Sequence, residues 1–206
     1  MNPERIPLFP LEVVLFPGRS LPLHIYEPRY REMTRHCLET KSPFGIVLSQ
    51  SKAMSQTGCT ALIAKVLKEY EDGRSDILTI GQKIFRLYRT YSGKSYMEAD
   101  VVFLEEDNEQ AKAEVSARLE ELFDQCHRVL YNQSAPPLQA EENVSLAFHV
   151  GAELPLELSF RQSLLELRSE ADRQQRLVDH LTELYPQLQR RERVRGKATG
   201  NGHGNL

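Results

Sequence analysis

Three features of this 206-residue chain predict an α+β fold. Short apolar runs and period-two alternation fill the first half. Apolar residues recur every three or four positions through the second. The period switches once, at Glu105 to Asn108. Sustained strands followed by sustained helices make α+β, where alternating βαβ units would interleave them. The organisation read from that switch is a β-rich part over 1–106 with one early helix, a helical part over 107–189, and a basic tail over 190–206. The tail's Gly-Asn-Gly-His-Gly run predicts disorder there.

The first element lies in the segment Pro7 to Arg31, whose apolar runs are interrupted by Pro10, Pro17, Pro22 and Pro28. Proline fixes φ and removes a donor, so the backbone is held in short extended pieces with defined corners. Glu27-Pro28 then reads as a helix start, with proline where its missing N–H costs nothing, and Tyr30, Met33 and Cys37 follow at helical spacing. Pro43 to Ser49 is a strand-length apolar run. Cys59 to Tyr70 is a longer one, apolar on both parities through Val66, as for a strand covered on both faces. Asp72-Gly73 marks a hairpin turn into Asp76–Ile80. Beyond Gly81 a strand is expected from Ile84 to Tyr91, a turn at Ser92-Gly93-Lys94, and a return strand. On that return strand Met97, Ala99, Val101 and Phe103 share one face, and Tyr96, Glu98 and Asp100 share the wet one.

From Asn108 onward, Val115, Leu119, Leu122, Cys126 and Leu130 trace one helical stripe. Ser134 to Pro137 ends it. A short helix is expected over Glu142–Val150 with Gly151 as a left-handed cap. Ser159-x-x-Gln162 has the capping-box form, so the last helix is expected to begin there and run to Leu188, with a polar gap at Gln174 and an end or kink at Pro186.

Composition narrows the function. Forty per cent apolar residues suffice for a core, no apolar run reaches membrane-spanning length, and no basic-then-apolar signal stretch opens the chain, so a cytoplasmic location is expected. Cys37, Cys59 and Cys126 are odd in number and far apart, which suits buried reduced thiols better than a disulfide framework or a zinc site. The net charge is −3, and residues 190–206 contribute +4, which leaves −7 on the body. An acidic body with a short basic tail is a poor match to a phosphate backbone.

Catalytic motifs fail on spacing. The sequence holds no phosphate-binding Gly-rich loop, no Gly-x-Ser-x-Gly elbow and no His-Glu-x-x-His pair. Cys126-His127 and His36-Cys37 are adjacent on helices, where side chains diverge by about 100° and cannot share a proton. His24 stands in the proline-pinned segment without Cys, Asp or Glu at ligand spacing, and Glu27 reads as the acid favoured before a helix, with Arg29 or Arg31 as its partner. Glu69, Glu71 and Asp72 sit at a turn, where charge is solvation. No catalytic residue, metal or cofactor is expected.

A family resemblance emerges from the same residues. Pro7-Leu-Phe-Pro-Leu11, Val14-Leu-Phe-Pro-Gly18 and Leu21-Pro-Leu-His-Ile-Tyr-Glu-Pro-Arg-Tyr-Arg31 with Met33 resemble the opening of the N-terminal substrate-binding domain of Lon proteases. Collinear matches continue through Phe44-Gly-Ile-Val-Leu48, Asp72-Gly-Arg74, Gly81, Phe85-Arg86, Leu154-Pro-Leu-Glu-Leu158, Arg161-Gln162 and Arg176-Leu177. The resemblance implies a twisted β pseudo-barrel, of the kind compared with PUA domains, and a helical bundle. The length leaves no room for a nucleotide-driven unfoldase or a Ser-Lys peptidase domain, so the chain reads as a stand-alone, non-catalytic domain.

The partners so implied are unfolded or apolar polypeptide segments, or a client docked to a separate protease. RNA binding through a PUA-like barrel is the alternative, and the acidic body opposes it. The candidate peptide lining is Phe9, Tyr26 and Tyr30, with His24 and Arg29 as polar contacts on a β-edge or in a crevice. The competing reading is that these residues pack the first helix onto the sheet.

Overall fold

The computed structural model describes residues 3–51, 53–107, 109–137 and 145–200. Asn108, the first part of the helix expected over Glu142–Val150 and the tail beyond Gly200 lie outside the described residues. The elements are β1 (Glu4–Leu11), β2 (Ser20–Ile25), α1 (Pro28–Thr40), β3 (Phe44–Gln50), β4 (Ala53–Glu69), β5 (Ser75–Tyr91), β6 (Met97–Phe103), α2 (Ala113–Tyr131), α3 (Leu146–Glu153), α4 (Leu158–Glu166) and α5 (Glu170–Gly200). No helix among them is long and apolar enough to cross a membrane. The chain divides into two compact units, Met1–Glu106 with Leu156–Arg168, and Asp107–Pro155 with Ser169–Leu206.

The first unit is one mixed sheet in the order β2-β5-β4-β3-β1-β6. Pairing of β6 with β5 brings the far strand back round, which gives the twisted pseudo-barrel and leaves β2 outside it. The prolines of β1 sit where such a sheet tolerates them. Pro7 is opposite Glu98 of β6, Pro10 is opposite Val47 of β3, and Leu8 alone has register partners on both sides. Each proline therefore lacks its N–H on a side with no neighbour to receive it. Ile6, Leu8, Val47, Phe85, Ala99 and Val101 fill the interior.

The runs Asp76–Ile80 and Ile84–Tyr91, expected on either side of Gly81, are one strand. β5 runs through Gly81, because this residue exchanges backbone hydrogen bonds with the proline-rich segment, accepting from Gly18 N–H and donating to Arg19 O at 2.9 Å each. A Cβ there would run into the Phe16 carbonyl. Tyr96, expected on the wet face, is buried. It precedes β6 and escapes that strand's alternation.

The last helix is two helices, which corrects the expected single run from Ser159. α4 ends at Glu166, Leu167 is extended, and α5 starts after Ser169, whose Oγ accepts the Asp172 N–H at 3.0 Å. The capping box at Ser159 does not form: the residue at that helix's start is Glu157, with no side-chain cap, and Gln162 is buried. Its Nε2 donates to the Thr57 carbonyl at 3.1 Å and to Glu166 at 2.8 Å. Those bonds tie α4 to β4, so residues 156–168 belong with the β-rich unit, in place of the expected division into 1–106 and 107–189.

The second unit packs α2, α3 and α5. Gly151 lies inside α3 instead of capping it, and Ser145 caps the start by accepting the Phe148 N–H at 3.0 Å. Gln174, the polar gap in the stripe, is buried. It donates to Glu170 at 2.9 Å and accepts from Ser116 Oγ at 2.7 Å. Arg173 is fully buried over the Phe148 ring at 4.2 Å, with Glu170 at 3.2 Å. α5 passes through Pro186, which is exposed, and continues to Gly200. Residues 190–200, expected to be disordered, are therefore helical.

Candidate functional site

Burial disposes of the cysteines as nucleophiles. Cys37, Cys59 and Cys126 are free and buried, and burial pushes their thiols up to about 11, 12 and 11. Such thiols are protonated near neutrality and make poor nucleophiles. His127 faces the Gln133 carbonyl at 3.0 Å. Among the described residues no three His, Cys, Asp or Glu side chains gather as a metal site would require.

The sheet's free edges offer a different surface. β2 pairs with β5 alone, and the register of β3 with β4 ends at Phe44–Ala61. Beyond that pair, Leu62–Glu69 of β4, Ser75–Ile80 of β5 and all of β2 form a three-stranded ribbon with both edges open among the described residues. Its rows follow from the register: Leu21, Thr79 and Ile63; Leu23, Ile77 and Val66; Ile25, Ser75 and Glu69. Ile25, Ile77 and Thr79 are buried, so this face looks inward. The alternate rows look outward: Ser20, Ile80 and Leu62; Pro22, Leu78 and Lys65; His24, Asp76 and Lys68. Pro22, Leu62, Leu78 and Ile80 thus form an apolar patch beside the open edge of β2, bounded by polar residues at one end.

At that polar end, His24 Nδ1 faces Asp76 Oδ1 at 2.5 Å, and the Tyr70 hydroxyl donates to Asp76 Oδ2 at 2.8 Å. These two partners hold the Asp76 carboxyl below its ordinary range, with the His24 contact first. The Tyr26 and Tyr70 rings flank the imidazole at 6.0 and 5.9 Å, and Lys68 Nζ lies 4.4 Å over Tyr70. Tyr26 is 60% exposed. The result is an aromatic, weakly charged strip at the end of the apolar patch.

The five expected residues therefore divide. His24 and Tyr26 meet on the surface. Phe9 and Tyr30 are 6% and 8% exposed and stack at 3.9 Å, with Phe44 6.1 Å from Phe9, so they join α1 to the sheet. Arg29 lies over Tyr30 at 4.6 Å and pairs with Glu27 at 2.8 Å. Sequence reasoning missed Leu62, Leu78, Ile80, Tyr70 and Asp76. The Asp72-Gly73 turn carried a usable signal, because it fixes Asp76 near Tyr70 across the hairpin. The pairing of β2 with β5 had none.

Residues 5–183 match the family described as the ATP-dependent protease La (LON) substrate-binding domain. Curated relatives include a Lon protease 2 of Syntrophobacter fumaroxidans, 24% identical over 95% of this chain and 26% of its own length. A Lon protease 2 of Herpetosiphon aurantiacus is 28% identical over 84% and 23% respectively. The chain thus spans about a quarter of the length of these relatives. Among solved structures, a Lon N-terminal domain protein from Xanthomonas campestris superposes with a TM-score of 0.68 at 25% identity, covering 85% of this chain and 98% of that one. The N-terminal domain of a Mycobacterium avium complex Lon protease gives 0.62 at 15% identity, covering 87% and 98%, and supports the fold.

Proposed function

Because the chain belongs to the Lon substrate-binding domain family, we propose that it is a non-catalytic module that holds exposed apolar segments of other polypeptides, either as substrates or as clients passed to a separate protease. The observation that carries this reading is the outward face of the β2, β5 and β4 ribbon. An apolar patch of Pro22, Leu62, Leu78 and Ile80 adjoins the strand β2, whose outer edge has no strand partner among the described residues. An extended segment added along β2 gains main-chain hydrogen bonds, and alternate side chains reach the patch and the Tyr26 and His24 strip. Main-chain pairing is indifferent to sequence and apolar contact nearly so, which suits recognition of unfolded chains. Pro22 removes one donor from the edge, so pairing is interrupted there and self-association along β2 is discouraged.

The test is a fluorescence anisotropy titration of the full chain with a labelled, amidated apolar peptide of about ten residues. Saturable binding in the micromolar range is expected. No saturation at tens of micromolar protein, or equal binding of a peptide with every second apolar residue changed to serine, overturns the proposal.

A further inference from the structure

A groove of about 210 Å3 lies between α1 and the β4–β5 turn, lined in part by Arg31, Thr34, Arg35, Glu69, Tyr70 and Arg74. The geometry points to this groove as a binding site for a carboxylate, carried by the polypeptide that the domain recognises. The inference rests on the reading above for the nature of the ligand, and on the groove alone for its charge.

Three arginines and Glu69 line the groove, and Asp72 beside it pairs with Arg74 and lies within electrostatic reach of Arg31, so in a protein whose net charge is −3 the groove still keeps more cations than anions. Arg31 and Arg35 are i and i+4 on α1, where like charges repel, and neither forms an ion pair within 4.0 Å among the described residues. Arg74 is paired with Asp72 at 2.7 Å, so Arg31 and Arg35 carry the groove's positive charge. Gly73, at φ 82°, lets the turn close against the Arg31 guanidinium, where any side chain would collide. That contact braces the arginine without consuming its donors.

Thr34 supplies an independent observation. It is 4% exposed, it lines the groove, and its hydroxyl has no hydrogen-bond partner. A buried hydroxyl left unpaired is costly, and threonine on a helix has two accessible χ1 rotamers, so a turn of χ1 presents the hydroxyl to an occupant. Guanidinium forks and a hydroxyl match the two oxygens of a carboxylate. The volume is below the roughly 300–1,000 Å3 of cofactor-sized sites, which fits an acidic side chain or a chain terminus.

Amide chemical-shift titrations of the full chain separate the outcomes. Three peptides share one apolar sequence: one with a free C-terminal carboxylate, one amidated, and one amidated with a single internal aspartate. Either carboxylate peptide is expected to shift resonances of Arg31–Leu38 and Glu71–Arg74, the free terminus or the aspartate identifying the source. The amidated peptide should shift only the β2 ribbon. The double variant R31Q/R35Q, and independently T34V, should weaken the carboxylate peptide at least tenfold and fivefold while the amidated peptide is unchanged.

Equal perturbation of the groove by the amidated peptide, or retention of carboxylate affinity within twofold in R31Q/R35Q, overturns the inference. Groove shifts without ribbon shifts support the carboxylate site and count against the apolar-segment reading. Ribbon shifts alone do the reverse. Saturation of the groove by inorganic phosphate but by neither carboxylate peptide also overturns the assignment.

Discussion

His24 and Asp76 face each other across the β2–β5 pair, Nδ1 to Oδ1 at 2.5 Å, and Tyr70 completes the carboxylate's set of donors. A second carboxylate, Asp100, is bound in the same manner by Arg5 at 2.9 Å and by the Tyr91 hydroxyl at 2.6 Å. Both acids are held below their ordinary value of 3.8, by His24 and then Tyr70 in one case and by Arg5 and then Tyr91 in the other.

The pH dependence of stability follows from those shifts. A lowered carboxyl stabilises the fold fully above its unfolded value and loses that contribution as pH falls through the lower folded one. Urea midpoints of the parent should drop steeply below about pH 4, and those of D76N/D100N should drop less. Parallel curves would show that these pairs do not couple to folding.

Gly81→Ala is expected to destabilise the first unit by about 2 kcal/mol, since the new methyl meets the Phe16 carbonyl and must displace backbone. Gly93→Ala is the control, because nothing lies within 4 Å of the Cβ it would add. Thermal unfolding of the two variants side by side checks this, with a clear loss for the first and a change within about 0.5 kcal/mol for the second.

What could be read from the residues alone depended on whether the determinant was local. The start of α1 at Pro28, the Asp72-Gly73 turn and the stripe of α2 are set by neighbours within a few positions, and all three are present. The break between α4 and α5 was illegible, because it depends on Gln162 reaching Thr57, 105 residues away. Likewise Phe9, Tyr26 and Tyr30 are all aromatic and close in sequence, yet only the packing of α1 separates the buried pair from the exposed ring. The ribbon face was hidden because it is a property of register between β2 and β5, whose partners lie 50 to 60 residues apart.

The helix boundary is itself testable. Ser169→Ala removes the acceptor for the Asp172 N–H and should cost about 1 kcal/mol, whereas Ser159→Ala, in the box that looks stronger in the sequence, should cost less than about 0.5 kcal/mol. The reverse ranking in chemical denaturation would restore a single helix through Leu167.

The three thiols should be silent in the folded protein. With each pushed up to about 11 or 12 by burial, an aromatic disulfide reagent at pH 8 should label none of them within minutes and all three in denaturant. Fast labelling of Cys126 under native conditions would reopen its pairing with His127.

The division of the suspected residues makes the sharpest contrast. Phe9→Ala deletes a buried ring that stacks on Tyr30, and a loss of about 3–5 kcal/mol is expected from the cavity and the lost contacts. Leu62→Lys places charge on the outward ribbon face at a position 36% exposed, where stability should move by less than about 1 kcal/mol while affinity for an apolar peptide falls about tenfold. Tyr26→Ala should behave like Leu62→Lys with a smaller loss, since its ring stands at the end of the strip. Anisotropy and urea unfolding on the same preparations separate the two effects. A Phe9 variant that stays folded but cannot bind, beside a Leu62 variant that binds normally, would move the site from the ribbon to the α1 face.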